Sequence, residues 1–310
     1  MMSPAARVSP ASLPGWEADD HGAALSAYSE TADLLPAGWP RPERGDWADP
    51  RGFFERHFHA VTLGEPPAFF TGYYEPEFEG RAEATEEFAY PLHSVPDGLV
   101  PGEPWHDRAE IETRSLLAGR ELIWLSSPVE AFFVQVQGSV RVRLPGGRVR
   151  RFGHAAKNGH PYRSIGEELI RRGEIAEAEM SAQVIRGWCA AHPGEVAGLL
   201  RHNPSFVFFR LLDLPEDKGP LGAMGRSVTA GRTLAVDPAH HPLGAPVWVA
   251  VDGPEQLRRL TVAQDTGSAI KGPQRGDLFC GSGPEAGRIA GAMRRAGRMV
   301  TFLPLSEGRA

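Results

Sequence analysis

The chain has 310 residues, enough for one large or two medium domains with a substantial core. Its 41% hydrophobic and 23% charged residues make an ordinary globular composition, and a net charge of −6 leaves no Lys/Arg surplus to neutralise phosphates, which argues against nucleic acid as a partner. Cys189 and Cys280 read as free, buried small residues, and the eleven histidines form no HExxH and no Cys/His pairing at zinc spacing, so neither metal nor other cofactor is expected.

No apolar run is long enough to span a membrane. The opening stretch 1–16 also lacks the charged and apolar regions of a secretory signal, and it has no cysteine to carry a lipid. A helical pattern follows over 20–35. A second helix is better marked: Asp49 can cap it, Pro50 suits its first position, and Phe53, Phe54, His57 and Phe58 make one bulky face. Next, Phe69-Phe70-Thr71-Gly72-Tyr73-Tyr74-Glu75-Pro76 reads as a strand ending at its proline, with core packing a sufficient reason for both tyrosines.

Asp107 with Glu110, and Ser164 with Glu167, have the cap-and-N3 spacing of helix starts. Strands are expected over 121–126 and 131–137, and a hairpin over 140–152. The hairpin's Arg141, Arg143, Arg150 and Arg151 read as a solvated face rather than a nucleic-acid strip. Helices continue over 181–191 and 193–200. The glycine-rich segment 219–225 is followed by no Lys-Ser/Thr, so it is no phosphate loop. A turn and strand cover 241–249. Strands at 260–264 and 278–280 then bracket a loop that carries Asp265 and Asp277, and a last helix is expected over 284–296. By spacing alone the two acids read as turn residues that satisfy local backbone N–H groups. The G-x-G-x-x-x-G spelling from Gly281 is no dinucleotide site, because too little chain remains for a βαβ unit.

Several segments, in this order, resemble the membrane-bound lytic murein transglycosylase A family. Thr71-Gly72-Tyr73-Tyr74-Glu75-Pro76 matches its T-G-Y-Y-x-P element. Phe132 to Ser139 matches its V-Q-V-Q-G-S strand, Gly153 to Gly166 its K-N-G-x-P-Y-x-S-I-G continuation, and Asn203 to Phe209 its N-P-S-F/Y-V-F-F segment. Asp265-Thr266-Gly267-Ser268-Ala269-Ile270-Lys271-Gly272 matches the D-x-G-x-A-I-K-G segment, followed by Asp277-Leu278-Phe279. Two departures stand out: Val140 where a glycine is usual, and an opening unlike that of exported, lipid-anchored members.

The resemblance implies a mainly β protein with peripheral helices. A double-psi β-barrel would be built from 1–76 and 207–310, and a smaller β-barrel-like domain, 77–206, would be inserted with a groove between them. It implies a lytic transglycosylase that cleaves the β-1,4 bond between N-acetylmuramic acid and N-acetylglucosamine and leaves 1,6-anhydromuramic acid ends. Asp277 would act first as acid and then as base, with Asp265 and Asp237 gathered near it. Their like charge and burial in the groove are expected to raise the Asp277 pKa, and Lys271 would oppose this if it pointed there. Thr71, Gly72, Tyr73, Tyr74, Gln137, Gly138, Ser139 and Lys271 would bind the glycan strand. A monomer is expected, and a place in the periplasm or at the inner face of the outer membrane is implied by the substrate.

Two rival functions remain at this point. A non-catalytic glycan-binding protein would use the same groove. Asp265-Thr266-Gly267-Ser268 also spells the D-T-G-S of aspartic proteases, but that chemistry needs a second such motif and the chain has none.

Overall fold

The computed structural model describes residues 7–253 and 256–305. After a short strand β1 (Arg7–Val8), local capping decides where helices begin. The Asp20 carboxylate accepts from the Ala23 N–H at 3.0 Å and opens α1 (His21–Ser29). The helix does not run on to residue 35. The Gln264 amide takes the Ala27 carbonyl at 2.7 Å and the Thr31 hydroxyl at 3.0 Å, so the chain breaks there into a separate 3-10 turn, Ala32–Leu34. Asp49 caps α2 (Pro50–His57), with Pro50 at the first position, where no N–H is missed. Phe53 and Phe54 of α2 are wholly buried among Trp16, Tyr28 and Phe58, each ring contributing about 2–3 kcal/mol. β2 (Phe58–Val61) and β3 (Ala68–Glu75) follow.

The chain forms two compact units. One comprises the described parts of Met1–Tyr74 and Glu216–Ala310, the other Glu75–Pro215. Through the second unit run β4 (Glu77–Glu79), β5 (Tyr90–His93), α3 (Arg108–Thr113), β6 (Glu121–Leu125), α4 (Pro128–Gln137), β7 (Ser139–Arg143) and β8 (Val149–Lys157). It ends with α5 (Ile165–Arg171), α6 (Ala182–Ala191), α7 (Val196–Arg201) and β9 (Val207–Leu212). The strands form a four-stranded sheet, β4-β7-β8-β9, and a two-stranded one, β5-β6.

Three sequence expectations change in this unit. The stretch 131–137 is helix, not strand. Ser127 caps it, Pro128 occupies its first turn, and Gly138, left-handed at φ 78°, ends it. Its buried positions, among them Ala131, Phe132, Val134 and Gln135, follow a helical face, while Val136 is 44% exposed. Second, 207–212 pairs along β8 in this unit instead of entering the barrel, so the chain returns at Pro215/Glu216. Third, the hairpin arginines are not one solvated face. Arg151 grips the wholly buried Glu75 with two nitrogens, and Arg141 reaches the same carboxylate at 2.7 Å. A buried carboxylate requires such partners. The motif asparagines are also structural: Asn158 donates to the His106 and Pro204 carbonyls, and Asn203 accepts from the Arg163 and Ser205 amides.

The chain re-enters the first unit with β10 (Thr233–Ala235), β11 (Pro246–Val251), β12 (Leu257–Asp265), β13 (Arg275–Ser282), α8 (Gly283–Ala292) and β14 (Arg294–Pro304). α8 stops well short of residue 296, because Ala296 and Gly297 are needed opposite Phe69 and Ala68 of β3. A side chain at 297 would meet the Ala250 carbonyl oxygen at 2.2 Å, so glycine permits this closure. The order β14-β11-β12-β10-β13-β3 closes on itself through β3–β14, making a six-stranded barrel that β2 and β1 extend. Phe70, Leu234, Val236, Val247, Val249, Ala263, Leu278 and Met299 fill one core. Trp248, Leu260, Val262 and Val300, alternating with those positions, pack with α1 and α2 in another. With fourteen strands and eight α-helices among the described residues, the protein is mainly β.

Candidate active site

Ala235, at the end of β10, has an acid on either side. Asp277 stands opposite it on β13 and Asp265 on β12. The parallel β10–β12 register pairs Leu234 with Ala263 and then skips Gln264, so that Asp265 faces Ala235. This bulge sets the aspartate beside the position of Asp277, with Gln264 turned to α1. The two acids are thereby two strand spacings apart, about 9–10 Å between backbones.

β3 supplies the third wall. Alternation puts Phe69, Thr71 and Tyr73 on one face of it. The Thr71 hydroxyl donates to Asp277 Oδ1 at 2.5 Å, and the Tyr73 hydroxyl donates to Asp265 Oδ2 at 2.7 Å. Asp265 Oδ1 also accepts from the Ala223 and Thr266 amides at 3.0 and 2.9 Å. The glycines before Ala223 have a purpose here: a Cβ at Gly222 would lie 2.7 Å from the Gln264 carbonyl oxygen, so only glycine lets this segment reach Asp265. Arg275, two positions before Asp277 on the same face of β13, donates to Thr71 Oγ1 at 2.8 Å and to the Gly276 carbonyl at 2.6 Å. Its guanidinium lies 5.1 Å from the centre of the Phe69 ring.

These surroundings decide the charges. Asp277 keeps some exposed surface, but its carboxyl is packed among protein atoms, and this loss of solvent pushes its pKa up to about 6. The Thr71 hydrogen bond and the Arg275 charge pull it down, and the Asp265 charge adds to the rise. Burial also raises Asp265, against its three hydrogen bonds. Tyr73 is held well above the ordinary phenol value by burial and then by the Asp265 charge, so it remains a donor. Burial pushes the Cys280 thiol up to about 12, which leaves no thiolate nucleophile near Asp277.

Asp237 enters a different set of bonds. It accepts from the Gly272 and Ala239 amides at 2.9 and 3.2 Å, which hold its pKa below the usual carboxylate value. It thus pins the end of the loop that separates Asp265 from Asp277. Asp237 is not among the groups that shift Asp277, contrary to expectation. Lys271, with its side chain 66% exposed, has Nζ 3.9 Å from Asp237 Oδ1; the cation beside Asp277 is Arg275. Sequence reading missed Arg275, although its i, i+2 spacing on a strand was the available signal.

Gly72 and Tyr74 turn towards α8. A Cβ at Gly72 would lie 2.8 Å from Ala290 Cα, and one at Gly287 would lie 2.8 Å from the Tyr74 ring. Gln137, Gly138 and Ser139 belong to the second unit, as the last residue of α4, its left-handed cap and the first residue of β7. The first unit therefore brings Thr71, Tyr73, Asp265 and Asp277 together, with Arg275 added. Such a set can hold and transfer one proton at Asp277 beside a fixed acidic neighbour.

Residues 69–210 match the MltA specific insert domain and residues 232–303 the 3D domain. The membrane-bound lytic murein transglycosylase A of Escherichia coli is 38% identical over 244 residues, covering 74% of this chain and 64% of that protein, so the chain spans less than two thirds of that relative's length. The crystal structure of a membrane-bound lytic murein transglycosylase from Agrobacterium tumefaciens superposes with a TM-score of 0.83 at 34% identity, over 97% of this chain and 98% of that one. The structure of Escherichia coli MltA with bound chitohexaose gives 0.77 at 28% identity, over 97% and 92%. With both domains matched and a 34% identical neighbour covered almost end to end, this chain belongs to the membrane-bound lytic murein transglycosylase A family.

Proposed function

We propose that this protein is a lytic transglycosylase of peptidoglycan, cutting the β-1,4 bond between N-acetylmuramic acid and N-acetylglucosamine with Asp277 as its single acid and base. The observation that carries the reading is a carboxyl whose pKa is raised to about 6, within a family whose relatives bear that activity in their names. Protonated Asp277 gives its proton to the bridging oxygen. The C1–O4 bond breaks, its electron pair stays on that oxygen, and positive charge spreads over C1 and the ring oxygen. The carboxylate then takes the proton of the muramoyl C6 hydroxyl as O6 bonds to C1. No water and no second nucleophilic carboxylate are consumed. Asp265, held by three donors, is a fixed negative charge that favours the neutral form of Asp277 and faces the developing cation.

The glycan strand is the proposed partner of a monomeric enzyme, with Gln137, Gly138, Ser139 and the exposed Lys271 as contacts beyond the acid. The proposed location is the periplasm or the inner face of the outer membrane, where that substrate lies. Among the described residues no helix is long and apolar enough to cross a membrane. An aspartic protease is disfavoured, since both oxygens of Asp265 are engaged by Tyr73, Ala223 and Thr266 and share no proton with a second aspartate.

The test is digestion of purified murein sacculi with mass analysis of the products. Wild type should release muropeptides with 1,6-anhydromuramic acid ends, one water lighter than hydrolysed ends. Asp277→Asn should stay folded and lose at least about 10²–10⁴-fold in rate. Reducing ends would make the protein a hydrolase, and binding without cleavage by wild type would favour a glycan-binding protein.

A further inference from the structure

We infer that Thr71 and Arg275 form a positioning pair that reserves one oxygen of Asp277, Oδ2, for the reacting proton; the inference rests on the reading of Asp277 as the acid. A guanidinium offers only N–H donors and no acceptor. The 2.8 Å contact between Arg275 Nη2 and Thr71 Oγ1 can therefore run in one direction only, from arginine to hydroxyl. That leaves the hydroxyl hydrogen for its other close neighbour, Asp277 Oδ1 at 2.5 Å. A proton placed on Oδ1 would have to donate back to Thr71 and strand the hydroxyl hydrogen without an acceptor. Oδ2 carries no hydrogen bond among the described residues, so the acid proton resides there.

The arginine is itself held in place. Its Nη1 donates to the Gly276 carbonyl, and its guanidinium lies over Phe69, a ring 39% exposed. Phe69 and Thr71 share one face of β3, as Arg275 and Asp277 share one face of β13, so strand alternation builds the pair. Both halves of the proposed reaction then use one oxygen. Oδ2–H protonates the bridging oxygen as the C1–O4 bond breaks, and the same Oδ2 accepts the C6 hydroxyl proton as the O6–C1 bond forms. Thr71 and Arg275 stabilise the carboxylate formed between the two steps through a charge-assisted hydrogen bond.

The charged and titratable groups facing Asp277 are Arg275 and Cys280 on its own strand, Tyr73 on β3 and Asp265 on β12. The experiment follows the Asp277 carboxyl by carbon NMR in protein labelled at aspartate carboxyls, its signal assigned by loss in Asp277→Asn, beside kcat/KM on murein against pH. Wild type is compared with Thr71→Val, Thr71→Ser and Arg275→Gln. Removing the hydroxyl in Thr71→Val should move the Asp277 midpoint up by about one pH unit, carry the alkaline limb of kcat/KM with it and lower the plateau rate. Thr71→Ser should return both midpoint and limb to the wild-type position. Arg275→Gln should also raise the midpoint, and it decides the matter with Thr71 in place if Thr71→Val does not fold. A midpoint unmoved in the folded variants, with only melting temperature or rate reduced, overturns the pair. A wild type that cuts no murein would remove the acid reading, while the titration would still decide whether Thr71 and Arg275 govern Asp277.

Discussion

At the scale of single residues, the proposed acid role of Asp277 ties activity to stability. A general acid must be protonated, so kcat/KM should fall as pH rises through about 6, the value to which burial lifts this carboxyl. The sign for stability is the same. A folded pKa raised above the unfolded 3.8 gives stability that is full below 3.8 and lost as pH rises through about 6. Asp277→Asn should therefore be more stable than wild type above pH 6, by up to about 3 kcal/mol, with the gap closing below pH 4. Denaturant melts at pH 4 and pH 8 check this, and a gap of equal size at both would contradict it. Asp265→Asn removes a negative charge that raises the Asp277 pKa, so its alkaline limb should move to lower pH. An unchanged profile with full activity would reduce Asp265 to a holder of the segment around Ala223.

At the scale of elements, contacts too close for a side chain set how α8 meets the barrel. Gly72 on β3 lies where a Cβ would meet the Ala290 backbone at 2.8 Å and Cys280 Sγ at 2.9 Å. Gly72→Ala should cost about 1–3 kcal/mol through overpacking, read as a lower denaturant midpoint of the barrel unit's own transition at unchanged slope. Its effect on rate should exceed its effect on binding, because the same strand carries Thr71 and Tyr73 to the two acids. A variant as stable as wild type would mean that α8 can shift freely away from β3. The loop after Asp265 is likewise tied at defined points, by Asp237 to the Gly272 amide and by His241 to the Pro273 carbonyl.

At the scale of the whole molecule, two separate sets of cores imply two unfolding events. The barrel core of Phe70, Leu234, Val247 and Leu278 belongs to one unit, and the core of Phe132, Leu169, Trp188 and Leu199 to the other. Such chains depart from simple two-state melting. Glu75→Ala leaves Arg141 and Arg151 without their shared carboxylate and should cost about 3–5 kcal/mol, lowering the transition of the inserted unit. Gly72→Ala should lower that of the barrel instead. Calorimetry separates the two, and one transition shifted equally by both substitutions would show a single cooperative body.

What the sequence determined by itself is chiefly what lies within a few residues of its cause. Asp49, Asp107 and Ser164 cap helices as read, because each bonds an amide three positions on. The family was legible because its motifs are contiguous, and the acid pair lies in one such stretch. Tertiary structure decided the rest, since the deciding partners are remote in the chain. Thr71 and Asp277 stand 206 positions apart. Gln264 was read as an ordinary strand residue, yet its place in the bulge beside β10 sets Asp265 opposite Ala235. The alternation of Val134 to Gln137 suggests a strand, but burial of one helical face and the caps at Ser127 and Gly138 make it a helix. Residues 294–304 carry a helical run into a strand because closure of the barrel supplies backbone partners on both sides, which no local propensity anticipates.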